Sequence, residues 1–111
     1  MTEARDASDL ISEEVGVRFE DNSVVLPTEK PATKCLIEVV ELLVESGYIT
    51  KSQLPIESGY KRYLLNSEDK HKESNPMARP KQIADDIYLE TNYNNTEIKN
   101  KIKMLANMAD N

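Results

Sequence analysis

The segment TKCLIEVVELLVES, residues 33–46, decides the fold because it carries the strongest helical pattern in the chain. Apolar side chains recur along one face of that helix at spacings of three and four residues: Leu36, Val39, Val40 and Leu43. Gly47 follows directly, at a position where a glycine commonly ends a helix. The sequence therefore predicts a largely buried helix over residues 33–46.

Upstream of this helix, two β-prone runs lie within residues 15–26 and are separated by Asp-Asn-Ser at 21–23. That composition is typical of a turn, so a β-hairpin is expected, ending at Pro27. Residues 1–14 are acidic and offer only Leu10 and Ile11 for burial. We expect this N-terminal segment to be a frayed helix or a flexible tail.

Downstream, Thr50 is the expected N-cap of a short helical turn, which Pro55 limits. Residues 59–66 are ambiguous, because their aromatic and aliphatic content favours a strand whereas Ser58 is a suitable cap for a third helix. A strand is the preferred interpretation. Residues 67–79 form a polar, charged loop that is longer than ordinary connections, and loops of that length are often functional or mobile.

The last third of the chain is expected to contain a turn, a strand and a helix. Residues 80–84 suggest one helical turn, and residues 87–91 alternate as a half-buried strand that can pair with the strand near residue 63. Asn95 is the expected cap of a final helix. The apolar face of that helix comprises Ile98, Ile102, Leu105 and Met108.

These elements predict an α+β fold, with two main helices packed on a short antiparallel sheet. The chain has 111 residues and neither internal repeats nor a linker, which favours one domain over residues 15–111, preceded by the flexible acidic segment 1–14. Cys35 is the only cysteine, so no internal disulfide can form, and a reducing, cytoplasmic location is expected. No apolar run approaches the roughly 20 residues that cross a bilayer, so no membrane partner is expected.

Few residues suggest catalysis or metal binding. Cys35 falls inside the apolar helix and is expected to be a buried thiol, whereas His71 falls in the polar loop and is expected to be exposed. The acids around it, Glu68, Asp69 and Glu73, define no metal geometry. We therefore predict no catalytic residue, no metal ligand and no cofactor, and we keep a metal-dependent hydrolase as a third hypothesis. Its acids are Asp85, Asp86 and Glu90.

Two charged features suggest a binding function instead. The first is a basic segment within residues 51–81, where tyrosines flank a Lys-Arg pair and can cover a base or sugar while cations contact phosphate. It comprises Lys51, Tyr60, Lys61, Arg62, Lys70, Lys72, Arg79 and Lys81. The second is an acidic stripe along the helix at 33–46, which is either a solvated face or a docking face for a basic partner. It comprises Glu38, Glu41 and Glu45.

Residues 36–66 resemble winged helix-turn-helix DNA-binding domains. The resemblance lies in Leu-Leu at 42–43, Gly-Tyr-Ile-Thr at 47–50 and Ser-Gln-Leu at 52–54, where an apolar helix ends at glycine and a capped second helix follows. It implies a recognition helix at residues 59–66, with Lys61 and Arg62 facing DNA, and a wing within residues 66–91. Pro55 and the aromatic content of residues 60–65 depart from that pattern.

Two functional hypotheses follow from the sequence. The first is a non-enzymatic DNA-binding or transcription-regulating domain that contacts nucleic acid through the basic segment. The alternative is an acidic protein-interaction module, such as an inhibitor, adaptor or accessory subunit, that docks a basic protein partner. The net charge of −6 argues against broad nucleic-acid binding, but the acids are concentrated in the first 45 residues. Both hypotheses therefore stand.

Overall fold

The computed structural model describes residues 6–20, 23–59 and 62–110. The chain divides into two compact units, the first formed by Met1–Tyr48 with Tyr93–Asn111 and the second by Ile49–Asn92. The sequence predicts a single domain over residues 15–111, which stays a prediction for the chain as a whole. Each unit is described by itself.

The described residues of the first unit form three helices and one β-hairpin. The elements are α1 (Ala7–Val15), β1 (Arg18–Glu20), β2 (Ser23–Val25), α2 (Ala32–Glu45) and α3 (Asn95–Asp110). The two strands pair antiparallel, with Phe19 opposite Val24, as predicted from the turn residues between them. The helix predicted at 33–46 is confirmed, because α2 begins one residue earlier and ends one residue earlier.

The core of the first unit is built from the apolar faces that the helical spacing predicts. Leu36, Val39, Val40 and Leu43 of α2 and Ile98, Ile102 and Leu105 of α3 are each no more than 1% exposed. The helices pack on one another and α3 also contacts β2. Burial of this apolar surface is the main stabilising contribution to the unit.

The N-terminal segment differs from the expected frayed helix or tail, because residues 7–15 form α1 and Ala7 and Ile11 are fully buried. Its first turn is capped from the other end of the chain. One carboxylate oxygen of Asp110 accepts a hydrogen bond from the Ala7 N–H at 2.5 Å, and the other accepts one from the Ser8 hydroxyl at 3.1 Å. Because Asp110 lies over a hundred residues after Ala7 in the sequence, no local pattern indicates this contact.

The end of α2 is closed by a glycine in the left-handed conformation, as predicted. Gly47 has φ +82°, its N–H bonds to the Val44 carbonyl, and the Tyr48 N–H bonds to the Leu43 carbonyl. This pair of hydrogen bonds satisfies carbonyls that the helix leaves unpaired. Because the space around Gly47 is open, a side chain would fit there, and the left-handed backbone conformation is the reason for a glycine at this position.

Changing Gly47 to alanine is expected to lower the free energy of unfolding by about 1 kcal/mol, because a Cβ strains the left-handed conformation. A Cβ built there meets nothing within 4 Å, so no steric clash adds to the cost. Urea unfolding measures the change. Ser46→Ala, one residue earlier with φ −84°, is the matched control and should change stability far less. Equal effects of the two substitutions would contradict this account of the cap.

The second unit contains a four-stranded antiparallel sheet in the order β3-β4-β6-β5. Its strands are β3 (Ile56–Gly59), β4 (Arg62–Asn66), β5 (Pro80–Ala84) and β6 (Ile87–Glu90), preceded by a 3₁₀ turn at Lys51–Gln53. Thr50 stands at the N-cap of that turn, as predicted, and its N–H donates to the Gln53 side chain at 2.7 Å. Leu64, Leu65 and Leu89 are fully buried.

Register places Leu65 of β4 opposite Leu89 of β6, which confirms the predicted pairing of these two strands. The preference for a strand at residues 59–66 is also confirmed for the described residues 59 and 62–66, and the recognition helix implied at this position is not formed there. Tyr60 and Lys61 lie outside the described residues. Leu64 and Leu65 of β4 are buried in the sheet, and their burial is the physical reason for the strand.

Two local predictions are corrected. Residues 80–84 form strand β5 rather than a helical turn, because their backbone pairs with β6 from Pro80 opposite Glu90 to Ala84 opposite Ile87. The cap of α3 is Asn94 rather than Asn95. Its side chain accepts from the Glu97 N–H at 2.8 Å while Glu97 accepts from the Asn94 N–H at 3.0 Å, so both donors are satisfied reciprocally.

The fold is α+β, with three α-helices and two antiparallel sheets among the described residues. None of these helices is both long enough and apolar enough to cross a bilayer.

Candidate functional site

An acidic groove lies on the first unit, between the end of α1 and the outer face of α2. Its cavity volume is about 230 Å³. Four carboxylates and two apolar side chains line it: Glu14, Glu38, Glu41, Glu45, Val15 and Leu42. The helical spacing of the predicted acidic stripe brings its three members into this groove together, and α1 adds Glu14, which the sequence did not indicate.

The carboxylates of the acidic groove differ in their partners. Glu38 is paired, since it accepts a hydrogen bond from Lys30 at 2.6 Å. Among the described residues, Glu14, Glu41 and Glu45 make no ion pair and accept no side-chain hydrogen bond. Three carboxylates are therefore available to a partner molecule.

Lys30 illustrates how an ammonium group binds at this groove. Its Nζ donates to Glu38 Oε1 at 2.6 Å and to the Val15 carbonyl at the end of α1 at 3.3 Å. The hydrogen bond to Glu38 raises the pKa of Lys30 above its usual value, against a smaller opposing effect of burial. A carboxylate and a helix-terminal carbonyl together hold a cation here.

Charge is distributed unevenly between the two units. The first unit contains thirteen acidic and seven basic residues, whereas the second contains seven of each. The whole net charge of −6 therefore belongs to the first unit. The unit that carries the acidic groove is therefore negatively charged, whereas the unit that carries the basic segment has no net charge.

The described cations of the basic segment are all exposed and belong to the second unit: Lys51, Arg62, Lys70, Lys72, Arg79 and Lys81. Lys51 lies 3.7 Å from Asp86, and the other five make no ion pair to a described residue. They do not all share one side of the sheet. Arg62 lines a pocket with Glu90, whereas Lys81 is opposite Leu89, whose side chain lies on the other face of β6 from Glu90.

His71 bridges two strands instead of facing solvent, which corrects the expectation of an exposed histidine. Its side chain is 10% exposed. Nδ1 accepts a hydrogen bond from the Tyr63 N–H of β4 at 2.9 Å, and Nε2 lies 2.9 Å from Glu90 Oε1 of β6. Because Nδ1 is an acceptor, the ring proton lies on Nε2 and donates to Glu90. The imidazole thus joins β4 and β6 beyond the last paired residues.

Glu90 is the centre of this network and is only 5% exposed. Besides His71, its Oε1 accepts from the Ala78 N–H at 2.8 Å, and its Oε2 accepts from the N–H groups of Arg79 and Thr91 at 2.9 and 3.2 Å. Burial opposes the charged form, but the hydrogen bonds from Arg79, Ala78 and His71 outweigh it and lower the pKa of Glu90 below its usual 4.5. One carboxylate thereby fixes the end of the loop at residues 67–79.

The lowered pKa of Glu90 predicts a loss of stability in acid. A carboxyl whose pKa is lower in the folded state than in the unfolded state stabilises the fold at pH values above its unfolded pKa of 4.5. That contribution disappears as the pH falls through the pKa of the folded state. The stability difference between the wild type and a Glu90→Gln variant is therefore expected to narrow below about pH 4.5. Urea unfolding of both proteins from neutral pH to pH 3 measures it. A difference independent of pH would contradict this role of the charge.

A second cavity, of about 320 Å³, lies beside this network in the second unit. Its wall includes Arg62, Asn75, Pro76 and Asn92 together with His71 and Glu90. The guanidinium of Arg62 and the side-chain amide of Asn92 make no hydrogen bond to a described residue. Asn75 donates from Nδ2 to the Lys72 carbonyl at 3.1 Å, so its Oδ1 is available.

The three acids that the sequence suggested for a metal-dependent hydrolase are not brought together in the structure. Asp85 and Asp86 are exposed in the turn between β5 and β6, whereas Glu90 is buried at the far end of β6, roughly 13 Å along the strand from Asp86. Within residues 6–20, 23–59 and 62–110, no three His, Cys, Asp or Glu side chains form a group that could hold a metal ion. Glu68, Asp69 and Glu73 are exposed, and His71 instead binds Glu90.

Cys35 is fully buried in α2, as predicted for a structural thiol. Burial raises the pKa of Cys35 above its usual value, with only a smaller opposing effect of Lys30. A thiol that stays protonated is a poor nucleophile. The residue contributes to the core of the first unit.

Sequence reasoning missed the partnership of His71 and Glu90 and the amides of the second cavity. One signal was present in the sequence, because residues 87–90 are Ile-Tyr-Leu-Glu and the strand therefore ends at an acid. Glu90 lies on the same face of this strand as Tyr88, which is half-buried. A charged residue inside such a strand requires hydrogen-bond partners. Only the fold identifies the loop backbone and His71 as those partners.

No family model matches this chain, and neither a curated protein nor a solved structure matches it.

Proposed function

We propose that this protein is an interaction module that binds a Lys- or Arg-bearing segment of a basic partner protein in the acidic groove of its first unit. The observation that carries the proposal is the convergence of four carboxylates from α1 and α2 around Val15 and Leu42. Three of the carboxylates have no partner among the described residues. A site of this composition suits a cation with an aliphatic stem.

The groove suits the whole length of a lysine or arginine side chain. Leu42 is partly exposed and offers an apolar surface to the methylene stem, and the surrounding carboxylates accept hydrogen bonds from the charged end. Lys30 already makes one such interaction with Glu38 within the chain. A partner that supplies further cations can use Glu14, Glu41 and Glu45 in the same way.

The charge of the first unit extends the attraction beyond the groove. All of the protein's net charge of −6 belongs to that unit, so a basic partner is steered towards it before contact. Exposed ion pairs each contribute only about 0–1 kcal/mol, so the affinity should depend on several of them acting together and on salt. The proposal therefore predicts binding that is selective for clustered cations.

Reversal of two groove charges tests this proposal. Glu41→Lys/Glu45→Lys is expected to weaken binding of a labelled lysine-leucine peptide by at least about tenfold, because like charges then face the peptide's cations. Fluorescence anisotropy at physiological ionic strength measures the affinity. Both positions are on the outer side of α2, so the fold should tolerate the change, which the melting temperature checks.

A matched control separates the groove from net charge. Asp9→Lys/Glu20→Lys reverses two exposed acids of the first unit outside the groove and gives the same net charge of −2. The peptide should bind this variant nearly as well as it binds the wild type. An equal loss in both variants would show that general charge, and not the groove, attracts the peptide.

A second candidate function is nucleic-acid binding through the basic segment of the second unit. The exposure of all its described cations, five of them without an ion pair, favours this candidate. The balanced charge of that unit and the strand at residues 62–66 weigh against a helix-in-groove mode. With four to six phosphate contacts, the affinity for duplex DNA should fall by about two to three decades over a fourfold rise in salt.

Anisotropy of labelled duplex and single-stranded DNA tests the second candidate in parallel with the peptide. Arg62→Glu combined with Arg79→Glu should abolish DNA binding and leave peptide binding unchanged. If the DNA affinity does not respond to salt, or persists in that variant, the basic segment is not a phosphate-binding surface.

A further inference from the structure

The cavity of the second unit is separate from the acidic groove and uses none of its residues. Its volume of about 320 Å³ lies at the lower end of the range of small-molecule sites, roughly 300–1,000 Å³. The loop at residues 67–79 contributes one side of its wall, and β4 and β6 contribute Arg62 and Glu90. The hydrogen bonds from Ala78, Arg79 and His71 to Glu90 hold that loop in place, so the cavity is preformed.

The wall is unsuited to a metal cation, although it contains a carboxylate. Each oxygen of Glu90 already accepts two hydrogen bonds, from Ala78 and His71 on one side and from Arg79 and Thr91 on the other. A carboxylate offers about four lone-pair positions, and these are all used. His71 likewise has both ring nitrogens engaged.

A simple anion is also a poor match for this cavity. Among the described side chains of the wall, Arg62 is the one full positive charge, and Glu90 is a full negative charge in the same wall. An anion would gain attraction from the first and repulsion from the second. The charges of the wall therefore favour a ligand group that is polar but uncharged.

The available polar groups specify the kind of uncharged ligand. Arg62 presents a planar set of donors, and the side chain of Asn92 presents an NH₂ donor group and a carbonyl acceptor, none of them bonded to a described residue. Guanidinium and carboxamide groups are the two side-chain types that most often pair with the edges of purine bases. Pro76 adds an apolar surface against which a flat ring can pack, and Asn75 Oδ1 adds an acceptor.

We propose that this cavity binds a purine base, with its edge hydrogen-bonded to Arg62 and Asn92 and its face against Pro76. The base can come from a free nucleotide or from an unpaired position of a nucleic-acid strand, since both present the same ring. This proposal concerns a different unit from the acidic groove and does not depend on the protein-interaction function. It also differs from the phosphate contacts of the basic segment, because its determinants are donors and acceptors in a pocket.

Nuclear magnetic resonance titrations of the full chain test the proposal. The probes are guanosine and adenosine monophosphate, a short single-stranded purine oligonucleotide, and inorganic phosphate as the control ligand. At least one nucleotide or the oligonucleotide should shift the backbone amides of residues 75–78 and 90–92. Arg62→Ala and Asn92→Ala should each weaken binding about tenfold or more, because each removes a side-chain group that hydrogen-bonds to the edge of the base.

Lys81→Ala is the matched variant for Arg62→Ala, since it removes an exposed cation opposite Leu89, outside the cavity wall. It should bind the probes like the wild type. Arg62 and Asn92 are both exposed, so their variants should fold, and unchanged melting temperatures check this. Binding of the mononucleotides that is lost in both cavity variants supports a free nucleotide as the source of the base. Binding of the oligonucleotide alone, lost in the same variants, supports a strand.

Three results would overturn the proposal. One is the absence of shifts with every probe at millimolar concentration. Another is binding that is unchanged in both cavity variants, which assigns it to surface cations. The third is reproduction of the same shifts by inorganic phosphate, which makes the cavity an anion site.

Discussion

Replacing Glu90 by glutamine is expected to lower the free energy of unfolding by about 2–4 kcal/mol at neutral pH, because buried hydrogen-bond donors lose their acceptor. The carboxylate accepts from the N–H groups of Ala78, Arg79 and Thr91 and from His71. A glutamine oxygen can replace only one carboxylate oxygen, and the new NH₂ group then faces two donors. Chemical denaturation followed by circular dichroism measures the change.

Glu57→Gln is the matched control for Glu90→Gln, since Glu57 is an exposed acid on β3 of the same sheet. It removes the same charge and should change stability by less than about 0.5 kcal/mol. A Glu90→Gln variant as stable as this control would show that the loop backbone finds other acceptors. The role of Glu90 as the hub of the network would then be wrong.

Replacing His71 by alanine is expected to lower the free energy of unfolding by about 1–3 kcal/mol, and to remove the side-chain bridge between β4 and β6. The substitution leaves the Tyr63 N–H without its acceptor and removes one donor to Glu90. Water can reach part of the site, because the His71 side chain is 10% exposed, so the cost should be smaller than that of Glu90→Gln. Amide hydrogen exchange at Tyr63 reports the effect directly and should accelerate.

Lys72→Ala, at the next residue of the loop, is the control for His71→Ala because Lys72 is exposed and makes no ion pair to a described residue. In the Lys72→Ala variant, the Tyr63 amide should exchange as slowly as it does in the wild type. If the Tyr63 amide is equally protected in His71→Ala, the imidazole does not bridge the strands, and another group must protect that amide.

The elements whose pattern is local and repeated could be predicted from the sequence. The helical spacing of Leu36, Val39 and Leu43 predicted α2, and Gly47 predicted its end. The turn residues at 21–23 predicted the first hairpin, and alternation at residues 87–91 predicted β6. In each case the residues that bury apolar surface also satisfy the local backbone geometry.

Other elements depend on contacts that are distant in sequence. Residues 80–84 contain only Ile83 and Ala84 for burial, and they form β5 because β6 offers a paired edge. The acidic segment near the N-terminus forms α1, with its apolar face buried and its first turn capped by Asp110. Long-range pairing of this kind overrides weak local preferences.

The residues of the candidate sites also differ in whether local spacing or long-range pairing brings them together. The spacing of Glu38, Glu41 and Glu45 on one helix predicted their common face, and the structure adds Glu14 from a second helix. The cations of the basic segment were predicted as one surface, but Arg62 and Lys81 belong to different faces of the sheet. Membership of a helix face is set by local spacing, whereas membership of a sheet surface depends on register, which a single sequence leaves open.

The most direct test of the protein-interaction function is a titration of the isotopically labelled protein with the lysine-leucine peptide, followed residue by residue by nuclear magnetic resonance. We expect the largest shifts at the amides of residues 14–15 and 38–45, and we expect them to disappear in Glu41→Lys/Glu45→Lys but to persist in Asp9→Lys/Glu20→Lys. Shifts of equal size across the acidic surface, or shifts centred on residues 62–81, would contradict the acidic groove as the binding site.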